Sequence, residues 1–238
     1  MKALTFTGIR SITYESIPDP VIEQSTDVII KMDCCAICGS DLHVFHGRES
    51  GIDIHTAMGH EFAGEVIELG KEVKSFQIGD KVVSPFTTAC GNCFYCLRGL
   101  SARCLQNQIF GWVENGKGLQ GAQAEFIRVP LADTTLMKYS NYDLMAHEAL
   151  LSGDIFSTGY FGAHLCEIQP GDHLAVIGCG PVGLMATFSA SLMNAGAVYS
   201  IDQVSERMAV ASTFRGIPMK SDNDLVIKIM DLTEGRGV

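Results

Sequence analysis

No cluster of lysine or arginine occurs anywhere in this chain. Its 238 residues carry 17 basic against 27 acidic side chains, a formal charge of −10. That balance excludes a nucleic-acid backbone or an anionic membrane surface as a partner held by counter-charge. The N-terminus lacks the apolar core of a signal peptide: M-K-A-L-T-F-T-G-I-R alternates and regains charge within ten residues, so a cytoplasmic chain is expected. There is no internal repeat and no linker rich in proline or serine. Only 18% of residues are charged and 47% are hydrophobic, which excludes a disordered chain and leaves core enough for one large or two ordinary domains. Charge is also missing from Leu174 to Ile201, a run long enough to span a bilayer. Its interior argues against a span. Gly178, Gly180, Pro181, Gly183 and Gly196 interrupt it, and H-L-A-V-I-G and A-V-Y-S-I-D read as buried strands flanking a helix.

Cysteine is concentrated instead of absent. The run from Cys90 to Cys104, C-G-N-C-F-Y-C-L-R-G-L-S-A-R-C, has a C-x2-C-x2-C-x7-C spacing suited to one structural zinc held by Cys90, Cys93, Cys96 and Cys104. Iron–sulfur runs that begin in the same way continue x3-C-P, and this one does not. Gly91, Asn92 and Gly99 supply the turns. Cys34, Cys35, Cys166 and Cys179 are expected as reduced thiols.

Up to about residue 154 the chain reads as short strands separated by Gly, Pro and Asp turns, which predicts a partly open β-barrel. From 155 onward, longer apolar helices alternate with continuous strands, the pattern of a parallel α/β sheet. There, strand His173 to Gly178 runs into G-C-G-P-V-G. Gly178 and Gly180 suit a tight turn beside a pyrophosphate at a helix N-terminus, and Gly183 suits close packing of helix on strand. The helix is expected from Pro181 to about Asn194, with Gly196 as its left-handed cap. Asp202, ending the next strand, is placed to accept hydrogen bonds from an adenosine ribose and to favour NAD over NADP. After Asp202 the sequence holds one helix, a weak third strand near Ile217 and one more helix. Only the first half of a dinucleotide-binding domain is therefore expected, in a chain that looks C-terminally truncated.

Three further places hold metal-competent groups: Cys38 in C-G-S-D-L-H, His60 in G-H-E, and Asp154 in S-G-D-I-F-S-T-G-Y. Each alone has an ordinary explanation, in core, hydrogen bond or helix cap. Together, a thiolate, an imidazole and a carboxylate fill three zinc positions and leave a fourth open, the pattern of a catalytic ion.

With these motifs the chain resembles the zinc-containing medium-chain alcohol dehydrogenases along its whole length. The resemblance implies a GroES-like barrel domain over 1–154, a structural-zinc lobe at about 90–104, and a partial Rossmann NAD-binding domain over 155–238. It implies Cys38, His60 and Asp154 as catalytic-zinc ligands, Glu61 as a neighbour able to join them, and Asp41 as the partner that orients the His60 ring. Asp154 and G-A-Q-A-E-F-I-R-V-P resemble the branch of secondary-alcohol and glutathione-independent formaldehyde dehydrogenases. Ser40 and His43 match a proton relay from substrate hydroxyl to solvent. Thr158, Gly178, Gly180, Pro181, Val182, Gly183, Asp202 and Arg207 are the expected cofactor residues. The implied function is oxidation of a small alcohol or hydrated aldehyde with hydride transfer to NAD, by a form that is a homo-oligomer at full length. A non-catalytic zinc-binding remnant, or one half of a split dehydrogenase, is the alternative.

Overall fold

A computed structural model describes residues 1–238, which divide into two compact units, Met1–Asp154 and Ile155–Val238. The first contains β1 (Lys2–Gly8), β2 (Ser11–Ser16), β3 (Val28–Cys35), α1 (Gly39–Phe45), β4 (Thr56–Ala57), β5 (Phe62–Leu69) and β6 (Lys81–Ser84). It continues through β7 (Trp112–Glu114), β8 (Lys117–Leu119), β9 (Phe126–Val129), α2 (Ala132–Thr135), β10 (Met137–Lys138) and α3 (Ala146–Gly153). The main sheet has the order β10-β6-β5-β3-β9, antiparallel throughout, beside a three-stranded sheet β2-β1-β4.

Strand β3 shows why this unit folds as it does. Val28, Ile29 and Ile30 are all buried, after which the strand alternates as Lys31 and Asp33 turn outward. Its early residues are covered on both faces and its later ones on one. Val28, Ile30, Phe62, Val66, Val82, Ile127 and Val129 form one cluster with Phe110. Burial of each such side chain is worth about 1.5–3 kcal/mol. Phe62 and Phe110 meet edge to face, with ring centroids 5.2 Å apart, the geometry their quadrupoles favour.

The second unit contains α4 (Ile155–Leu165), β11 (His173–Ile177), α5 (Pro181–Leu192), β12 (Ala197–Asp202), α6 (Ser205–Thr213), β13 (Ile217–Lys220) and α7 (Leu225–Leu232). Its strands are parallel in the order β11-β12-β13, as one Rossmann half requires. Central strand β12 is covered on both faces. Val198 packs with Ala163 of α4 and Ala190 of α5, whereas Tyr199 and Ile201 pack with Met219 of β13 and Ile229 of α7. The charge-free run Leu174 to Ile201 thus folds as β11, α5 and most of β12, and no helix is long and apolar enough to cross a membrane.

One expected detail is corrected. Helix α5 ends at Leu192, and the left-handed residue after it is Asn194, with φ 63°, in place of Gly196. Asparagine tolerates that conformation. Gly196 is needed for another reason: a Cβ there would lie 2.5 Å from the Gly171 carbonyl oxygen.

Candidate metal centres and dinucleotide site

Helix α1 begins at Cys38, its N-cap, and the Asp41 carboxylate reaches back so that Oδ2 accepts the Cys38 backbone N–H at 2.9 Å. This local turn fixes the cysteine and the acid together. His60 and Glu61 immediately precede β5, and Asp154 follows α3 as its C-cap. The fold brings Cys38, His60, Glu61 and Asp154 into one group whose ligand atoms all lie within 4.8 Å of one another. His60 Nε2 faces the group, 3.6 Å from Asp154 Oδ2 and 3.3 Å from Ser40 Oγ, while Nδ1 lies 3.4 Å from Asp41 Oδ1.

The donor set fits zinc. Bonds of about 2.3 Å to sulfur and about 2.0–2.2 Å to nitrogen and oxygen put tetrahedral ligands roughly 3.4–3.8 Å apart, so little closure is needed. Burial pushes the His60 imidazole toward lower pKa, but hydrogen bonds and charges of Asp41 and Cys38 outweigh it and raise it to about 10. Burial, reinforced by Asp154, pushes Glu61 up. A concentration of acceptors that holds a proton this firmly is suited to a cation.

The four-cysteine group is assembled from the loop before and the two 3₁₀ turns within Cys96–Arg103. Its sulfurs also lie within 4.8 Å of one another. Peptide donors point at them: Cys90 and Gln106 N–H each lie 3.3 Å from Cys104 Sγ. The N–H groups of Cys96 and Leu105 hold Cys93 down to about 6, whereas burial, with Cys93 beside it, raises Cys96 to about 11. A set of four converging sulfurs with a thiolate ready at neutral pH fits a structural zinc.

In the second unit, Gly178 adopts φ 96°, and a Cβ on Gly183 would stand 1.8 Å from the Gly178 carbonyl oxygen. Only glycine allows α5 to start this close to β11. Gly180 is the N-cap of α5, with open space where its Cβ would be, and Pro181 takes the first helical position. Val182 follows it, partly exposed. Asp202 accepts three peptide N–H groups, from Cys179 at 2.7 Å, Gln203 at 2.7 Å and Val204 at 2.9 Å. These donors, Val204 first, hold its pKa below the usual carboxylate value, with a smaller contribution from Arg207. Thr158 stands on α4 and Arg207 on α6. The Cys179 N–H thus ties the turn before α5 to the carboxylate at the end of β12.

His43 is half-exposed, with Nδ1 3.6 Å from Glu49 Oε1. Gln123 escaped the reading of the sequence: its Nε2 lies 3.3 Å from Asp41 Oδ2. Between Gln120 and Glu125, nothing in its immediate sequence marked it out.

A β-rich unit with both candidate metal groups and a parallel unit with a glycine-rich turn at a helix start define a zinc-type dehydrogenase architecture. Comparison with known proteins agrees. The alcohol dehydrogenase GroES-like domain matches residues 24–140. A medium chain reductase/dehydrogenase of Acremonium sp is 42% identical, covering 100% of this chain and 82% of the relative. The apo zinc dependent alcohol dehydrogenase 2 from Streptococcus pneumonia has a TM-score of 0.89 at 35% identity, covering 100% of this chain and 67% of that one. The glutathione-independent formaldehyde dehydrogenase of Pseudomonas aeruginosa is 36% identical, covering 85% of this chain and 53% of the relative. The chain belongs to the zinc-containing medium-chain alcohol dehydrogenase family. Against several curated relatives it spans between 53% and 60% of their length.

Proposed function

We propose that the chain serves NAD-dependent oxidation of a small alcohol or hydrated aldehyde at the Cys38, His60 and Asp154 site. The observation that carries this reading is the convergence of thiol, imidazole and carboxylate within 4.8 Å, a mixed set that leaves a coordination position for a substrate oxygen. Zinc held there, with Glu61 alongside, would supply Lewis acidity toward that oxygen. NAD would accept the hydride.

The chain's own residues supply position and proton handling. Asp41 holds His60 through Nδ1, so Nε2 is the nitrogen presented to the site. Ser40 Oγ, close to that nitrogen, is the hydroxyl that takes the substrate proton, and half-exposed His43, one helical turn along α1, passes it to solvent. Asp202, fixed as an anion by three peptide donors, accepts from ribose hydroxyls and repels a 2′-phosphate. The formaldehyde dehydrogenase among the relatives supports including hydrated aldehydes among the substrates.

Metal analysis and calorimetry test this. Two zinc ions per chain are expected, one of them loosened by Asp154→Ala, with tighter binding of NAD than NADP. A single zinc per chain, unaffected by Asp154→Ala, would overturn the proposal.

A further inference from the structure

Gln123 has no part in the chemistry above, yet its surroundings are built around it. The residue is 9% exposed. Its backbone N–H donates to the Met58 carbonyl at 2.8 Å and its own carbonyl accepts the Leu4 N–H at 2.8 Å. The main chain is thereby pinned between β1 and the residues leading to His60. From this anchor, Nε2 lies 3.3 Å from Asp41 Oδ2 and 3.4 Å from the Ala36 carbonyl oxygen. Both neighbours are acceptors only, which assigns the amide nitrogen to this side. A buried amide is costly to place without partners.

The consequence falls on Asp41. Its Oδ2 takes Gln123 Nε2 and the Cys38 backbone N–H at 2.9 Å, which leaves Oδ1 to face His60 Nδ1. With two donors on one oxygen, the carboxylate cannot swing away from the ring without leaving a buried donor unpaired. The contact to Ala36, just beyond β3, ties the same amide to the segment that carries Cys38.

We propose that Gln123 is a positioning residue for the mixed metal site, acting through Asp41 to aim His60 Nε2 at Cys38, Glu61 and Asp154. This inference rests on the metal-site reading under the proposed function.

The test uses the whole zinc-loaded chain and follows zinc release to a chromophoric chelator, with the four-cysteine site as internal reference. Gln123→Met should speed release from the mixed site on the order of 10-fold and leave the reference rate unchanged. In chain loaded with Co²⁺, the visible bands of the mixed site should shift. The double variant Gln123→Met/Asp41→Asn should release no faster than Asp41→Asn alone, because both act through one carboxylate. Gln123→Glu keeps the shape but sets an anion beside Asp41, and it should accelerate release at least as much if the Met variant fails to fold. Wild-type release rates and cobalt bands in a folded variant, or effects that multiply in the double variant, would overturn the proposal. A wild-type chain with zinc at the four cysteines alone would instead bring down the functional reading, and this inference with it.

Discussion

Asp41 Oδ1 lies 3.4 Å from His60 Nδ1, on the side of the ring opposite the nitrogen that faces Cys38 and Asp154. A carboxylate at this distance favours the tautomer with its proton on Nδ1, which leaves the Nε2 lone pair for a metal. Asp41→Asn removes the charge while nearly preserving shape. It should weaken zinc at the mixed site by about 10- to 100-fold and leave the four-cysteine zinc in place. Chelator competition measures both.

A pH dependence follows from the same neighbours. In metal-free chain the His60 imidazole is raised to about 10, against about 6.5 for an unperturbed histidine. The folded state therefore binds the proton more tightly. The stability this contributes is fully present below about pH 6.5 and disappears as pH rises through about 10. Zinc requires the deprotonated ring, so its affinity should rise with pH over that window. Scanning calorimetry of chain freed of the mixed-site zinc should show a melting temperature that falls toward alkaline pH, more steeply than in His60→Gln. Equal slopes would contradict the placement of His60 beside Asp41.

The four-cysteine lobe and the glycine loop were legible because their geometry is local. Four thiols within fifteen positions, or glycines at fixed offsets after a strand, state their constraint in adjacent residues. Cys38, His60 and Asp154 come from an N-cap, a strand approach and a helix end, so only their joint chemistry and likeness to a family linked them in the sequence. The link from Gln123 to Asp41 crosses from the approach to β9 to α1 and had no local signature. The end of α5 was misjudged for a related reason. Asn194 and Gly196 both suit a left-handed turn, and what decides between them is the distant Gly171 carbonyl beside Gly196.

Cys93 sets the expectation for the structural lobe. Peptide N–H groups of Cys96 and Leu105 hold its thiol down to about 6, so it is a sulfur ready as thiolate at neutral pH. Cys93→Ser should reduce zinc from two ions to one per chain and destabilise the chain by several kcal/mol, a fraction of the roughly 10–16 kcal/mol by which structural zinc binds peptides. Limited proteolysis should cut first between residues 90 and 104. Retention of two zinc ions by this variant would exclude Cys93 as a ligand.

The two glycines at the start of α5 should separate fold from function. At Gly183 a Cβ would meet the Gly178 carbonyl oxygen at 1.8 Å, a backbone atom that cannot yield without moving the helix off β11. Gly183→Ala should therefore destabilise by about 1–3 kcal/mol or more, the usual range for overpacking, in urea unfolding. Gly180 differs in both respects. Its φ of −72° and ψ of 179° are open to any residue, and no atom beyond its chain neighbours lies within 4 Å of the Cβ position. Gly180→Ala should then stay within about 1 kcal/mol of wild type, the scale of an N-cap change. The added methyl instead enters the space through which a pyrophosphate would approach the helix N-terminus. Calorimetric titration should show NAD affinity lowered on the order of 10-fold, equivalent to about 1.4 kcal/mol. A Gly180→Ala chain with unchanged unfolding and unchanged NAD affinity would place the cofactor elsewhere.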